Sequence, residues 1–187
     1  MTDPFALIGV PRKLDLEEAD IDRLLLEASQ IHHPDNGGDQ DLFLKIRLAG
    51  EILKSPAKRV RAAIECEGLS FDERGEIPDK VMEHFSYVAS VLQKVDSFVS
   101  ERSKALSILG KAVLDVRVPV LKADLEEVIS NLNELKSAMV ARFKSFDERG
   151  WSECEIEMNE VARGLIFLTK WAAQLREANG KLFEALL

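Results

Sequence analysis

Apolar residues recur along most of the chain at steps of three and four positions, which is the spacing of one face of an α-helix. Signals for β-strands are almost absent. The one run rich in β-branched residues, from Val113 to Leu121, is interrupted by charged residues and by Pro119. The pattern therefore predicts an all-α protein.

The first third of the chain carries clear helix start and stop signals. A short helix is predicted to begin at Asp3-Pro4, since an acidic cap and a proline suit a first turn, and to end at Gly9. Asp39 is placed to cap a later helix, and Ser55-Pro56 opens another. Three helices are therefore predicted after the first, over about 17–31, 39–53 and 57–67.

From residue 79 onward the apolar stripes predict helices that pack antiparallel as a bundle. A first helix is expected to bury one face and, after a kink near 100–103, to continue as an arm that Pro119 ends. A second carries a seam like that of a coiled coil, from Leu125 to Met139. The last covers about 153–186, with Trp151 and Trp171 as packing anchors. The predicted buried positions are Val81, Phe85, Val88, Leu92, Val95, Leu106, Leu109, Val113, Val116, Ile156, Val161, Leu165, Leu168, Ala172 and Leu175.

These stripes divide the chain into an N-terminal domain over 1–68, a polar linker over 69–78 and a helical bundle over 79–187. The linker is placed there because the stretch is polar and contains Gly75. Within the bundle we expect the seam from Leu125 to Met139 to be intrachain core, with oligomerisation through it as the alternative.

One hexapeptide, Ser-Phe-Asp-Glu-Arg-Gly, occurs twice, at 70–75 and at 145–150. The flanking residues do not match, so an internal duplication is disfavoured. Both copies follow a predicted helix and end in glycine, which favours the interpretation that both are turns between helices. A shared docking motif is the alternative.

Composition excludes several classes of function. Hydrophobic residues make up 46% of the chain, enough to fill a core, and the net charge is −8 without any long basic block. Nucleic-acid binding is therefore not expected. Cys66 and Cys154 have neither metal-like nor redox-like spacing, and no nucleophile stands in a catalytic motif. We expect no enzyme, no cofactor, no metal site and no membrane partner. The N-terminal residues lack the features of a signal peptide, which favours a cytoplasmic protein.

The informative segment is the loop between the second and third predicted helices. It reads His32-His33-Pro34-Asp35-Asn36-Gly37-Gly38. Pro34 disfavours helical geometry at His33, and the glycines permit positive φ. The sequence therefore predicts a compact, exposed loop.

This loop in its context resembles the J-domain of DnaJ-type co-chaperones. The match covers about residues 3–68: a short helix, a connector, a helix, His33-Pro34-Asp35, a helix and then Ser-Pro-x-Lys-Arg. Within J-domains the chain is most similar to the HscB family, on the opening Phe5-Ala6-Leu7-Ile8-Gly9-Val10-Pro11, the long spacing from Gly9 to His33 and the run from Pro56 to Gly68. A helical bundle directly after the J-domain also suits that family.

The resemblance implies a co-chaperone that stimulates ATP hydrolysis by a seventy-kilodalton heat-shock-type chaperone and delivers a client, for which an iron–sulfur scaffold protein is the candidate. Carried over, His33, Pro34 and Asp35 would contact the ATP-bound chaperone. Basic residues would complete that surface, and the candidates are Arg23, Lys45, Lys58 and Arg59. The bundle would bind the client, with weak candidates at Val81, Met82 and Phe85.

The second helix departs from the J-domain pattern, in which this helix is rich in Lys and Arg. Here it carries five acidic residues over 17–27 and Arg23 as its single basic residue. Two alternatives therefore stay open: a J-domain protein with an unrelated client, and a degenerate J-domain that serves as a structural or interaction module.

Overall fold

The computed structural model describes residues 2–187, and the described part of the chain is built from helices without a strand. The all-α prediction is therefore confirmed. The ten α-helices are α1 (Pro4–Ile8), α2 (Glu18–Ile31), α3 (Gln40–Lys54), α4 (Pro56–Cys66), α5 (Asp79–Met82), α6 (Phe85–Lys104), α7 (Ile108–Asp115), α8 (Val118–Val140), α9 (Phe143–Arg149) and α10 (Glu155–Leu186).

The chain divides into two compact units. Unit 1 comprises the residues up to Ile77 together with Ala138–Ile166, and unit 2 comprises Pro78–Ser137 together with Phe167–Leu187. The long helices α8 and α10 each contribute residues to both units. The division into domains at 69–78 stays a prediction.

The ends of the first helices follow the predicted local chemistry. The Asp3 carboxylate accepts the main-chain N–H groups of Phe5 and Ala6 at the start of α1, and Gly9 ends the helix at a φ of 81°. The Asp39 carboxylate caps α3 in the same way. Each cap satisfies N–H groups that have no partner within the helix.

Helices α2 and α3 form a closely packed hairpin in unit 1. Ile21 and Leu25 of α2 are buried, as are Ile46, Ala49 and Gly50 of α3. A Cβ atom added at Gly50 would lie 2.5 Å from Leu25 Cδ2. The absence of a side chain at Gly50 therefore allows this close approach. The loop between the two helices takes its position from this pairing.

Arg59 joins three segments of unit 1 from inside the core, where it is only 5% exposed. Its Nε donates to the Leu53 carbonyl at 2.6 Å, in the last turn of α3, where carbonyls lack partners within the helix. Its Nη1 donates to the Leu14 carbonyl at 2.7 Å, and Leu16 accepts more weakly at 3.4 Å. The connector between α1 and α2 is thereby tied to the junction between α3 and α4.

A second tie to the same connector comes from Asp147 in α9. Its carboxylate accepts the main-chain N–H groups of Leu14 at 2.9 Å and Asp15 at 2.8 Å, and it accepts the indole N–H of Trp151 at 2.9 Å. Trp151 in turn packs against Phe5, with ring centroids 5.8 Å apart. Residues far apart in sequence therefore hold the base of the α2–α3 hairpin.

The repeated hexapeptide adopts two different conformations, so the expectation of two similar turns is wrong. Residues 70–75 form an irregular turn, whereas residues 145–149 lie in α9 and Gly150 ends that helix. Partners in the tertiary structure account for the difference. The Asp72 N–H donates to Asn159 Oδ1 at 2.8 Å, and Arg163 donates to the carbonyls of Asp72 and Glu76. Asp147, which occupies the same place in the second copy as Asp72 in the first, instead accepts main-chain N–H groups of the connector between α1 and α2.

In unit 2, α6 packs against α8 and against the unit's part of α10. Tyr87 and Lys94 of α6 pair with Glu127 and Asp124 of α8, and Glu101 pairs with Arg117, which directly precedes α8, so the two helices are antiparallel. The buried face of α6 comprises Val88, Val91, Val95 and Phe98, and the seam of α8 is buried at Leu125, Val128 and Leu132. The seam is therefore intrachain core, as expected.

Five details of the predicted bundle are wrong. The kink near 100–103 is absent, because α6 continues to Lys104, and Pro119 lies in the first turn of α8, where its missing N–H costs no hydrogen bond. Ile156 and Phe85, both predicted to be buried, are 84% and 50% exposed. The predicted arm is helical but points its apolar residues outward, since Leu106, Leu109, Val113 and Val116 are each at least 65% exposed.

Candidate functional site

The loop after α2 is a single 3₁₀ turn over Pro34–Asn36 that its own residues hold in place. His33 caps the turn, because its Nδ1 accepts the main-chain N–H of Asp35 at 3.2 Å. The His33 carbonyl accepts the N–H groups of Asn36 and Gly38. The Asn36 side chain donates to the Gln30 carbonyl at 2.9 Å, which ties the turn to the end of α2. Proline and these bonds together make the loop pre-organised.

Two glycines close the turn for different reasons. Gly37 has a φ of 80°, a conformation that side chains disfavour, and its N–H donates to the Pro34 carbonyl. At Gly38 the constraint is space, since an added Cβ would lie 2.3 Å from the His32 carbonyl oxygen. The chain can therefore return into α3 immediately after the turn.

The turn presents chemically distinct groups to solvent. Because Nδ1 of His33 accepts a hydrogen bond, the neutral ring carries its hydrogen on Nε2. The ring is steadied by an edge-on contact with Phe43 of α3, at 5.0 Å between centroids. Pro34 is exposed, and the side chain of Asp35 is 88% exposed. The turn thus offers a donor, a rigid apolar ring and a carboxylate acceptor at fixed positions, which suits recognition by another protein.

The basic residues proposed beside the loop differ in their environments. Lys45 and Lys58 are exposed. Arg23 is exposed but paired on its own helix with Asp20 and Glu27, and the hydrogen bond that it donates to Asp20 raises its pKa. Arg59 is buried, burial lowers the pKa of its guanidinium, and its donors face main-chain carbonyls. Arg59 therefore lies outside any docking surface, which corrects its assignment as a chaperone contact.

The outer face of α3 carries exposed residues that sequence reasoning did not select. Leu44 and Leu48, one helical turn apart, are each 56% exposed. They follow Phe43, against which the His33 ring packs. The signal that could have found them is their spacing, because they lie opposite the buried stripe of the same helix.

The three residues proposed to bind the client differ in their exposure to solvent. Val81 is fully buried and cannot contact a partner, which corrects its assignment. Met82 is 42% exposed and Phe85 is 50% exposed. Phe85 lies against Trp171 at 6.2 Å between centroids, and Phe167 packs edge-on to the same indole at 5.7 Å. Phe85 therefore belongs to an aromatic cluster in unit 2, and Met82 precedes it by three residues at the end of α5; we call Met82, Phe85, Phe167 and Trp171 the aromatic face.

The described residues offer few candidates for a metal site, a reactive thiol or a membrane-spanning helix. Residues 2–187 contain no group of three or more His, Cys, Asp or Glu side chains that could hold a metal ion. Both cysteines are free thiols whose pKa is raised by burial. Over the same residues, none of the helices combines the length and the apolarity needed to cross a membrane.

The helices of the described chain form an HscB-like fold. The chain is similar to the solved structure of the chaperone HscB from Vibrio cholerae, with a TM-score of 0.63 and 16% sequence identity. The likeness covers 97% of this chain and 99% of that one. No protein-family model matches the chain, and no curated protein matches it in sequence. The fold is therefore recognised through structure.

Proposed function

We propose that this protein is a J-domain co-chaperone. In this proposal the loop His33-Pro34-Asp35 binds the ATP-bound state of a seventy-kilodalton heat-shock-type chaperone and stimulates its ATP hydrolysis. The observation that carries the proposal is the exposed, internally bonded turn at residues 33–38, in a chain whose fold resembles HscB over nearly its whole length. The hydrolysis itself belongs to the chaperone, and this chain supplies contacts.

The loop supports this function because it is ordered before binding. A flexible loop would lose conformational entropy on docking, whereas a turn closed by proline and by its own hydrogen bonds has already lost it. His33 then presents Nε2–H, and Asp35 presents a carboxylate, at a distance fixed by the bond between His33 Nδ1 and the Asp35 N–H. Both groups can form charge-assisted or polar bonds across an interface.

The experiment is single-turnover ATP hydrolysis by the host's heat-shock-type chaperones in the presence of the protein. We expect wild type to stimulate hydrolysis and His33→Gln to lose the stimulation, because glutamine cannot reproduce the ring that caps the turn. His32→Gln is the matched control, since His32 ends α2 through its main-chain N–H and its side chain takes no part in the turn. Equal stimulation by wild type and His33→Gln would contradict the assignment of the loop.

The second part of the proposal is client delivery through the aromatic face, with an iron–sulfur scaffold protein as the candidate client. An exposed thioether and an exposed phenyl ring beside a buried indole form an adaptable apolar surface that can accept a partner. Met82→Ser and Phe85→Ser are expected to weaken binding of purified scaffold protein in titration calorimetry. Exposed Ile156 allows a matched control, Ile156→Ser. An unchanged affinity in both variants would redirect the search to an unrelated client.

A degenerate J-domain is the second candidate, and one observation favours it. The only basic residue of α2, Arg23, is already neutralised by Asp20 and Glu27. Lys54 contacts Asp22, so a basic residue of α3 is also engaged by an acidic one of α2. A structural or interaction module would stimulate none of the chaperones, with or without His33.

A further inference from the structure

The segment from residue 104 to residue 122 leaves an unusual amount of apolar surface uncovered. It includes all of α7, none of whose residues is buried. Its exposed aliphatic side chains, with their exposed fractions, are Leu106 (102%), Ile108 (89%), Leu109 (76%), Val113 (65%), Val116 (76%) and Val120 (63%). Single exposed aliphatic side chains are common on proteins, but six of them between residues 106 and 120 exceed that background and indicate an interaction surface. We call residues 104–122 the apolar segment.

The charges of the apolar segment are mostly positive, although the chain has a net charge of −8. Its basic residues are Lys104, Lys111, Arg117 and Lys122, and Asp115 is its only acidic one. Asp115 is occupied, because both of its oxygens accept from Arg102.

The three lysines are available to a partner, in contrast to the arginine. Arg117 forms an ion pair with Glu101 at 2.6 Å. Lys104, Lys111 and Lys122 are exposed and form no ion pair among residues 2–187. The apolar segment therefore combines exposed aliphatic side chains with three exposed lysines, and its own single carboxylate is already paired.

The side chains of the apolar segment favour one kind of binding partner over others. A two-fold symmetric dimer through this segment would bring the three lysines against three more lysines, with no free carboxylate in the segment to meet them. Protein interfaces are enriched in aromatic side chains, Met and Arg and depleted in Lys, whereas the apolar segment has no aromatic residue and no Met. Aliphatic side chains flanked by lysines are typical of helices that lie in the surface of a membrane.

We propose that the apolar segment docks on an anionic lipid surface. The protruding aliphatic side chains would enter the boundary between headgroups and acyl chains, and Lys104, Lys111 and Lys122 would contact lipid phosphates. No helix has to rearrange, because these side chains already face solvent. This revises the sequence-based expectation of no membrane partner, and it is independent of the chaperone function proposed above.

The test is flotation of the full-length protein with vesicles of phosphatidylcholine alone and of phosphatidylcholine mixed with phosphatidylglycerol. We expect binding to the mixed vesicles and little to the neutral ones. Binding should weaken as salt is raised to 1 M, where the Debye length falls to about 3 Å. Lys104→Glu/Lys111→Glu and, separately, Leu109→Ser/Val113→Ser should each lower the partition coefficient about tenfold or more.

Matched variants separate this surface from general charge and hydrophobicity. Lys136→Glu/Lys144→Glu makes the same change in net charge at exposed lysines elsewhere, and Ile156→Ser removes an exposed aliphatic side chain outside the segment. Both should bind like wild type. Absence of binding to the anionic vesicles would overturn the proposal, as would equal loss in the matched variants. Concentration-dependent dimerisation that Leu109→Ser/Val113→Ser abolishes, measured by sedimentation, would assign the patch to a second copy instead.

Discussion

Replacing Arg59 by methionine should destabilise unit 1 without altering the docking surface. Methionine keeps an unbranched apolar stem in place of that of arginine, but it is shorter and cannot donate a hydrogen bond. The substitution removes the short bonds to the carbonyls of Leu53 and Leu14. The Leu14 carbonyl keeps a second partner in the N–H of Leu16, whereas the Leu53 carbonyl would be left buried at the end of α3.

The expected cost follows from two opposing contributions. Bonds from a charged donor contribute about 1.5–3 kcal/mol each, and an unsatisfied buried carbonyl costs about 1–3 kcal/mol. Removing a buried guanidinium offsets part of this loss, because its desolvation already lowers the pKa of Arg59. We therefore expect the free energy of unfolding to fall by about 2–3 kcal/mol.

The assay is equilibrium unfolding in urea followed by circular dichroism, with the free energy obtained by linear extrapolation. Lys58→Met is the matched control, since Lys58 precedes Arg59 in α4 but is exposed, and its substitution should cost less than about 0.5 kcal/mol. Stimulation of the chaperone by folded Arg59→Met should equal that of wild type. A free energy of unfolding within about 0.5 kcal/mol of wild type would refute the role assigned to Arg59.

Three further predictions concern individual side chains. Asp147→Ala should lower the free energy of unfolding by about 2–4 kcal/mol, because two connector N–H groups and an indole N–H lose their acceptor. In the same urea titration, the control Glu148→Ala, at the neighbouring exposed position, should be nearly neutral. Gly38→Ala should open the turn and abolish chaperone stimulation while the circular dichroism spectrum stays helical; retained stimulation would contradict the tight closure. Hydrogen bonds from two arginines hold the pKa of Glu157 below the 4.5 of an ordinary glutamate, so its contribution to stability is present above that value and is lost as the pH falls through the depressed pKa. Glu157→Gln should therefore be less stable than wild type at pH 7 and should lose less stability than wild type on acidification, and parallel pH profiles of unfolding would contradict this.

The parts of the fold that were predictable from the sequence depend on local chemistry. Asp3 and Asp39 cap helices because short carboxylates reach nearby N–H groups, whatever the rest of the chain does. The turn at residues 33–38 is equally local, since proline and glycine restrict the backbone directly. Such signals survive in a single sequence.

The parts that could not be predicted depend on distant partners. Apolar periodicity predicts that α7 is a helix, but it cannot tell whether a neighbour covers the helix, and Leu109 and Val113 are left exposed. A charged residue is normally read as surface, yet Arg59 is buried because carbonyls from two other segments surround it. The repeated hexapeptide makes the point most directly, since identical residues form a turn in one place and a helix in another.

The candidate loop lies beside an acidic α2, and this limits how it can bind a partner. A basic helix would steer the protein toward an acidic partner over long range, but Arg23 is neutralised on its own helix and cannot contribute such a field. The binding surface then has to rely on short-range complementarity, which requires that its groups be held in place. The bonds of the turn, the edge-on contact of His33 with Phe43 and the exposed Leu44 and Leu48 provide a rigid surface of this kind. Because α2 lacks an unpaired basic residue, we expect slow association with an acidic partner. Specific docking through the turn does not depend on that charge.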